Sequence, residues 1–372
     1  MLTWIEINKK AIEYNVKQFR NIVDKNCLVM PVIKANAYGH GLLGITNILL
    51  QNKNVDRLCV VSSNEALELI TKFKMIQKPI QILSFYELDE NILLKLTKND
   101  VIFPVFTLKQ AKFLNKIGDR AKKKIKVHIK VDVGTTRIGI LENDIKYFVF
   151  EIKKLKNIFI EGVFSHFSSS EENREVTNRQ IDSFKKIISK IEELGVKLNI
   201  KHIACSAASI LYAQGHFNAI RMGISVYGLY PSPETKKMIK LKPALSWYTK
   251  IIALKQVPSG TKIGYNRTYT ANRPTKVATL PVGYYDGFDR SFSNKAEVLV
   301  RGINCKVLGN ICMNLTMIDV TNVPNVTEWD TVCLMGKQKN CTISVEDMAM
   351  WANTINYEIV DRINPLIPRI YK

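Results

Sequence analysis

The sequence predicts an α/β protein, with an N-terminal (β/α)8 TIM-like barrel over residues 1–235 and a mostly-β domain over residues 236–372. In the first part, short β-branched runs alternate with amphipathic helical patterns, which is typical of a parallel sheet covered by helices. After "YGLYPSPETKK" the chain changes to short alternating strands separated by turn signals. That change of texture indicates a second, mostly-β domain.

The predicted barrel strands are apolar runs, most of which precede a helical pattern. About seven or eight such units in a stretch of this length fit a closed barrel better than an open sheet. In chain order the runs are "CLVMPVI", "LCVVS", "PIQILS", "VIFPV", "KIKVHIKVD", "IFIEGVFS" and "LNIKHIA". Helices are predicted near 41–52, 64–73, 107–116, 142–155, 174–195 and 207–213, with one more near 344–353 in the second domain.

The charge balance does not indicate a nucleic-acid-binding protein. The chain has 54 Lys and Arg residues against 33 Asp and Glu, a formal net charge of +21. The excess is spread over both domains without a basic tail, and 41 of the basic residues are Lys. Because phosphates and base edges are recognised chiefly through the planar fork of arginine, we expect no nucleic-acid partner.

The sequence also does not indicate a membrane, secreted, disulfide-rich or metal-binding protein. No apolar stretch approaches the ~18–20 residues of a membrane-spanning helix, and the start "MLTWIEINKK" lacks the pattern of a secretion signal. We therefore expect a cytoplasmic protein without a membrane partner. The seven cysteines are odd in number, include no C-x-x-C pair and mostly lie in apolar runs. This pattern favours neither a disulfide framework nor a metal site.

Polar residues stand where the predicted barrel strands end, which is where such barrels build active sites. Lys34 is the most informative of them, because an ammonium at the end of a buried strand is costly unless its charge is removed. A Schiff base with an aldehyde cofactor removes it, whereas a lysine that reaches solvent is the alternative. The other strand-end residues are Arg137, His166, Cys205 with Ser206, and Arg221.

A rival motif lies beside Lys34. Gly39, Gly41 and Gly44 match G-x-G-x-x-G after a strand, the fingerprint of dinucleotide-binding folds. This match makes an NAD-dependent oxidoreductase a remote alternative. Against it, the expected acidic residue about 20 positions further on is missing, since Asp56 comes too early.

The chain resembles the alanine racemase family. "VIKANAYGHG" looks like its pyridoxal phosphate lysine motif, and the likeness runs from "TWIEINKKAIEYN" at the start to "IPRIY" at the end. Further matching segments, in family order, are "KVDVGTTRIG", "FSHF", "RMGISVYGLYP", "GYNRTYTA", "PVGYYDGF" and "CMNLTMIDV". The resemblance implies an isomerase that uses pyridoxal 5'-phosphate to interconvert L- and D-alanine, a homodimer with shared active sites, and supply of D-alanine for peptidoglycan.

The resemblance also implies residue roles. Lys34 would carry the cofactor and serve as the base on one face of the substrate, while Tyr265 of the partner subunit would serve the other face. His166 and Arg221 would form a hydrogen-bonded chain toward that tyrosine, with Arg221 facing the pyridine nitrogen. The remaining cofactor contacts would come from Tyr38, Arg137, Ser206, Gly223 and Ile224.

Three more residues match family positions near the substrate. Arg137 and the backbone N–H of Met313 would bind the substrate carboxylate, and Tyr284 would line the entrance. Lys130 matches a lysine that is often carbamylated and that orients the arginine. An ordinary strand lysine is the alternative interpretation at that position.

The sequence departs from the family pattern at three places. Cys205 replaces an asparagine before Ser206, Asn314 replaces the acidic residue after Met313, and Pro365 stands where many members have a tyrosine. A less negative, reshaped pocket could admit side chains larger or more polar than a methyl group. A serine or broad-specificity racemase on the same scaffold is therefore the alternative function.

Overall fold

The computed structural model describes residues 1–73, 78–84 and 89–372. The first strand, β1 (Trp4–Ile7), does not belong to the barrel. The described residues group into a barrel unit of Ala11–Lys34 and Leu43–Lys242 and a second unit of Met1–Lys10, Ala35–Leu42 and Pro243–Lys372. The single boundary predicted at residue 235 did not anticipate that two N-terminal segments group with the C-terminal part.

The barrel unit is a closed ring of parallel strands. Six of them form one sheet in the order β2-β9-β8-β7-β6-β5, and β3 pairs with β4. Parallel bridges from Val32 to Cys59 and from Gln81 to Ile102 join that pair to β2 and to β5, which closes the ring. The strands are β2 (Leu28–Pro31), β3 (Leu58–Val60), β4 (Ile80–Ile82), β5 (Phe103–Val105), β6 (Ile125–Lys130), β7 (Ile158–Phe164), β8 (Ile200–His202) and β9 (Ala219–Met222).

Helices follow the barrel strands as the alternation predicts. Every helix predicted in the barrel has an observed counterpart within a few residues, and the helix near 107–116 extends further than predicted. The helices are α1 (Lys9–Ile22), α2 (Lys34–Tyr38), α3 (Leu42–Gln51), α4 (Ser63–Lys72), α5 (Glu90–Lys98), α6 (Leu108–Ala121), α7 (Ile145–Ile152), α8 (Arg174–Glu193), α9 (Ser206–Leu211), α10 (Pro233–Met238), α11 (Val345–Ala352) and α12 (Asn356–Asp361).

The longest of the helices that were not predicted are α1, with 14 residues, and α5, with 9. Helix α5 buries Leu93 and Leu96, three residues apart on one face, and the Asp89 side chain accepts hydrogen bonds from two backbone N–H groups of its first turn. That cap and spacing are the ordinary signals of an amphipathic helix. The helix went unrecognised because its apolar stripe is short and interrupted by lysines.

The second unit is built from mostly antiparallel sheets, and its largest sheet holds both ends of the chain. Strand β10 pairs with β1 in antiparallel fashion, and β20 pairs with β1 in parallel, with Ile5 opposite Arg369 and Ile7 opposite Tyr371. The strands are β10 (Leu245–Lys250), β11 (Ala253–Val257), β12 (Lys262–Ile263), β13 (Tyr269–Thr270), β14 (Thr275–Leu280), β15 (Glu297–Val300), β16 (Ile303–Lys306), β17 (Thr316–Asp319), β18 (Thr331–Gln338), β19 (Cys341–Ile343) and β20 (Arg369–Tyr371).

The predicted fold class is confirmed, with a parallel (β/α)8 barrel followed by a mostly-β part. Within the described ranges, no helix combines the length and the apolar character needed to cross a lipid bilayer.

Candidate active site

Most of the strand-end residues predicted from the sequence lie at the carboxyl edge of the barrel. Lys34 comes shortly after β2, Lys130 is the last residue of β6, and His166 follows β7 by two positions. Arg221 lies within β9, and Ser206 begins the short helix after β8. The barrel topology therefore gathers side chains that are far apart in the sequence.

Four cations surround one histidine in this cluster. Burial lowers the pKa of His166 well below its usual value, and the charges of Arg221, Lys130, Arg137 and Lys34 lower it further, in that order of size. The structure thus brings together five of the residues that were predicted to act at one site. At neutral pH His166 is uncharged, and its site is strongly electropositive.

Arg221 is buried at the centre of this cluster, with only 4% of its surface exposed. Its Nη2 donates to the carbonyl oxygens of Ser165 (2.7 Å) and Ile203 (3.0 Å), and it lies 3.3 Å from Nδ1 of His166. Its Nη1 donates to Nδ1 of His202. Burial lowers the pKa of Arg221 to about 10, so the guanidinium still carries its charge at neutral pH.

A directed chain of hydrogen bonds runs from Arg221 into the barrel interior. A guanidinium can only donate, so Nδ1 of His202 accepts and its Nε2 carries the hydrogen. That hydrogen points to Nδ1 of His128 at 2.8 Å, and Nε2 of His128 donates to Oε2 of Glu161 at 2.9 Å. Burial lowers the pKa of His128 to about 4 and that of His202 well below its usual value, so both rings are neutral.

An ion pair ends this chain. Arg57 donates through Nη1 to Oε2 of Glu161 (3.0 Å) and to Oε1 of Gln81 (3.1 Å). Nε2 of Gln81 in turn lies 3.0 Å from Nδ1 of His128. Burial raises the pKa of Glu161, but the hydrogen bond from His128 and the charge of Arg57 outweigh it and bring that pKa to about 2.

Sequence analysis missed these interior residues. Their signal was present, since His128, Glu161 and His202 are polar positions inside otherwise apolar strand runs. Gly162 leaves room for the neighbouring strand and for this network, because a Cβ at that position would lie 2.3 Å from the carbonyl oxygen of Ile200 and 2.9 Å from Cε1 of His128. Polar residues in the middle of neighbouring barrel strands point inward together, and this is the pattern that would have found them.

Lys130 is a buried amine without a hydrogen-bonding partner among the described residues. Its Nζ lies 4.9 Å from the centre of the Phe164 ring. Burial, followed by the charges of Arg221 and Arg137, holds the pKa of Lys130 well below its usual value. The lowered pKa makes the uncharged, nucleophilic form of this amine easier to reach than in a solvated strand lysine.

The loops after β8 and β9 meet at Ser206. Its Oγ accepts a hydrogen bond from the backbone N–H of Gly223 at 2.8 Å, which leaves its own hydrogen available for a ligand. Gly223 is followed by a short 3-10 turn that begins at Ile224. Sγ of Cys205 lies 3.3 Å from Oγ of Ser170, and burial raises the pKa of this thiol, which stays protonated.

The helical turn that begins at Lys34 is left-handed. Ala35, Asn36, Ala37 and Tyr38 have φ values of 52°, 53°, 54° and 52°. Each non-glycine residue in this conformation costs roughly 1–2 kcal/mol. Four in succession persist only when surrounding contacts hold them.

Two glycines of the dinucleotide-like motif, Gly39 and Gly41, allow the end of this turn to pack closely against other parts of the protein. A Cβ on Gly39 would lie 1.9 Å from the carbonyl oxygen of Val360, and one on Gly41 would lie 2.1 Å from the hydroxyl of Tyr371. The fingerprint glycines of a dinucleotide fold instead bring the backbone close to a pyrophosphate. Here the close approach is to the protein itself, which argues against the NAD-dependent alternative.

The remaining predicted residues lie in the second unit. Tyr265 opens a 3-10 turn and is 71% exposed. Gly283 lies so close to the loop of Met313 that a Cβ there would come within 2.4 Å of the Met313 carbonyl oxygen, which keeps Tyr284 beside that loop. Tyr284 and Met313 are also exposed, as are Asn314 and Pro365, two of the three departures from the family pattern.

Comparison with known proteins decides the family. The family model "Alanine racemase, N-terminal domain" matches residues 7–231, and "Alanine racemase, C-terminal domain" matches residues 244–371. The chain belongs to the alanine racemase family. It is 41% identical to the alanine racemase of Halothermothrix orenii, over 100% of this chain and 97% of the relative.

Solved structures agree with this assignment. The alanine racemase of Clostridium difficile 630 superposes with a TM-score of 0.93 at 34% identity, covering 100% of this chain and 96% of the other. The Bacillus anthracis alanine racemase with bound L-Ala-P superposes with a TM-score of 0.92 at 33% identity, covering 100% of this chain and 95% of the other. The chain is therefore an amino-acid racemase, and the comparisons favour alanine racemase over the oxidoreductase and serine-racemase alternatives.

We expect acidification to lower the free energy of unfolding already at pH values above those at which most carboxylates titrate. All five histidines have lowered pKa values because of burial: His40 and His128 at about 4, with His166, His202 and His216 also lowered. Below the unfolded value near ~6.5 the unfolded chain binds protons that the folded chain does not. The free energy of unfolding should therefore fall between about pH 6.5 and pH 4, by up to about 1.4 kcal/mol per pH unit for each histidine.

Urea unfolding at pH 8, 7, 6 and 5 measures this dependence. The carboxylate of Glu161, with its pKa lowered to about 2, contributes only in a separate window below about pH 4.5. Equal free energies of unfolding at pH 8 and pH 5 would show that the histidines are not held neutral by the fold.

Proposed function

We propose that this chain interconverts L-alanine and D-alanine with pyridoxal 5'-phosphate, using Lys34 and Tyr265 as its two bases and supplying D-alanine for peptidoglycan. The observation that supports this most strongly is the set of four cations around His166. Such a field favours an acidic cofactor and an amino acid carboxylate. The B. anthracis relative was solved with bound L-Ala-P.

The residues present fit the cofactor. Lys34 offers an amine at the carboxyl edge of the barrel, and the Ser206 hydroxyl, held by the N–H of Gly223, suits a phosphate oxygen. Tyr38 and the backbone of Ile224 would complete the phosphate contacts. When bound, pyridoxal phosphate supplies an electron sink for the negative charge left at Cα once its proton is removed.

Arg221 would sit against the pyridine nitrogen. Its guanidinium has no proton to share readily, and its other N–H groups are committed to Ser165, Ile203 and His202. The ring nitrogen would therefore stay unprotonated, which moderates the electron sink and suppresses side reactions such as transamination. His166 is neutral and lies beside Arg221. It can accept a hydrogen bond at one ring nitrogen and donate one from the other, which would connect Arg221 to the second base.

Two bases must flank the Cα atom, because racemisation removes a proton from one face and returns one to the other. Lys34 serves one face. Tyr265 is exposed on its own chain and would serve the other face in a partner subunit, together with Met313 and Tyr284. We therefore propose a homodimer in which each second unit completes the neighbour's site.

Lys130 would carry a carbamate. The uncharged form of its amine, which the lowered pKa favours, would add to carbon dioxide, forming an N–C bond and releasing one proton, and the product is an anion. That anion would lie among the charges of Arg221 and Arg137, which now depress the pKa of Lys130. An anion held there orients Arg137 for the cofactor's phenolic oxygen and the substrate carboxylate.

We expect purified enzyme to racemise alanine with kcat/KM at least a hundredfold above that for serine, about 2.7 kcal/mol of discrimination. The measurement is a coupled assay on both enantiomers of each amino acid, with Lys34→Ala as the inactive control. Comparable kcat/KM values for serine and alanine would favour the broad-specificity alternative that Asn314 and Pro365 suggested.

Replacing Tyr265 should remove proton exchange on one face only. Tyr265→Phe is expected to slow racemisation by about 10²- to 10⁴-fold, the usual contribution of a positioned acid or base. Incorporation of deuterium from D₂O into Cα should persist for one enantiomer and fail for the other, as followed by proton NMR. Tyr147→Phe, an exposed tyrosine on helix α7, is the matched control. Equal residual exchange from both enantiomers contradicts the two-base arrangement.

The carbamate predicts a spectroscopic signal. Protein equilibrated with ¹³C-bicarbonate should show a carbamate carbon resonance that is absent from Lys130→Ala. Lys126→Ala, an exposed lysine on the same strand, should keep the resonance. A parent protein without this signal would mean that Lys130 acts as a free amine.

A further inference from the structure

Two side chains of the C-terminal strand contact residues 39–41, which directly follow the left-handed turn that begins at Lys34. Nε and Nη2 of Arg369 donate to the carbonyl oxygen of Gly39 at 3.2 and 3.0 Å. The hydroxyl of Tyr371 contacts the carbonyl oxygens of His40 (3.0 Å) and Gly41 (3.3 Å). Two side chains thus meet the carbonyl oxygens of three successive residues.

The turn also has internal hydrogen bonds. The N–H of Gly39 donates to the carbonyl of Ala35 at 3.1 Å, and the N–H of Gly41 donates to that of Asn36 at 2.9 Å. The Asn36 side chain accepts from the N–H of Leu42 at 2.8 Å. These bonds close the turn, but they do not remove the steric conflict of residues with positive φ. External contacts are needed to select this conformation over the right-handed one.

Arg369 is fixed before it reaches the turn. Its Nη1 donates to the carbonyl oxygens of Asn364 (2.7 Å) and Ile367, and its Nη2 to that of Ile363 (3.3 Å). Its backbone lies in β20, paired in parallel with β1 opposite Ile5. Because its guanidinium nitrogens are also bonded to these three carbonyl oxygens, the Arg369 side chain has little freedom to move, and it acts as a rigid support for the turn.

There is also no slack on the other side of the turn. A side chain does not fit at Gly39 or Gly41, because the backbone there already lies against the backbone of Val360 and the side chain of Tyr371. Tyr38, within the turn, is 5% exposed, and its ring lies 6.2 Å from that of Tyr357. The segment is enclosed by residues of the last helix and the last strand.

We propose that Arg369 and Tyr371 are positioning residues for the cofactor lysine. By binding the carbonyl oxygens of residues 39–41, they hold residues 35–39 in the left-handed conformation and fix the direction in which Lys34, the residue immediately before the turn, leaves strand β2. They also place Tyr38 for the phosphate. The inference rests on the proposed function, in which Lys34 carries pyridoxal phosphate, and assigns the end of the chain a part in preparing that lysine.

Backbone hydrogen exchange on the cofactor-free full chain tests the structural step. Tyr371→Phe removes one hydroxyl and keeps the ring, so the variant should fold. The amides of Gly39 and Gly41 are expected to exchange at least tenfold faster in Tyr371→Phe than in the parent, whereas Tyr147→Phe should match the parent. Unchanged exchange at both glycines overturns the inference.

Cofactor titration tests the consequence for Lys34. The dissociation constant of pyridoxal phosphate, followed by its visible absorbance, should rise about tenfold in Tyr371→Phe, with the thermal unfolding midpoint within about 2 °C of the parent. Adding Ala35→Gly should recover much of the affinity, because glycine adopts positive φ without steric cost and Ala35 is exposed. A general loss of stability would not be rescued by this second substitution.

The outcomes separate the two proposals. A parent chain that takes up no pyridoxal phosphate overturns the proposed function, and with it the role of Arg369 and Tyr371 toward the cofactor. A parent that binds the cofactor, with a Tyr371→Phe variant that binds it equally well, overturns this inference alone. A fall in affinity that Ala35→Gly reverses supports both.

Discussion

The buried guanidinium of Arg221 determines the protonation of the barrel interior. A cation enclosed in this way is tolerated only when acceptors surround it, and the carbonyls of Ser165 and Ile203 and the ring of His202 supply them. Because the guanidinium cannot accept, it fixes the tautomer of His202. That tautomer then fixes the one of His128, and the chain ends on the carboxylate of Glu161.

This directed chain makes the interior a coupled unit rather than a set of separate contacts. If Glu161 lost its charge, His128 would face a weaker acceptor and Arg57 would lose its counter-ion, so the effect would pass back toward Arg221. A polar network of this kind is stable only when every member is satisfied. Gly162 lies beside this network, where a Cβ would meet both the carbonyl oxygen of Ile200 and the His128 ring.

The sequence sufficed to predict the parts of the structure that follow from periodicity and strand ends. The alternation of apolar runs and helical patterns predicted the barrel, and the strand-end rule pointed to Lys34, His166 and Arg221 because parallel strands end at one edge. Family resemblance added Tyr265 and Met313, which no local pattern marks. Their roles remain predictions that the experiments above decide.

Other features depend on contacts between distant segments, and no local pattern carries them. The inward direction of His128 and His202 follows from strand register around a closed ring. The pairing of β1 with β20 joins residues at opposite ends of the chain. The left-handed turn after Lys34 runs against local preference, since alanine ordinarily favours a right-handed helix, and so only its tertiary partners Arg369 and Tyr371 account for it.

The net charge of +21 and the field at His166 are different quantities. Surface lysines act through water and salt, and their influence fades over a Debye length of about 10 Å at 0.1 M ionic strength. Lys34, Lys130, Arg137 and Arg221 act at close range, and Lys130 and Arg221 are largely shielded from solvent. The local group therefore lowers the pKa of His166, while the remaining lysines contribute mainly to the surface.

That local field links ligand binding to protonation. An anion placed among the four cations cancels part of their field, so the pKa of His166 rises relative to the same site without the anion. The anion and the proton then favour each other by the same free energy, whichever binds first. A phosphate-bearing cofactor and a substrate carboxylate would accordingly shift His166 from a pure acceptor toward a group that can share a proton, the change that a relay to a second base requires.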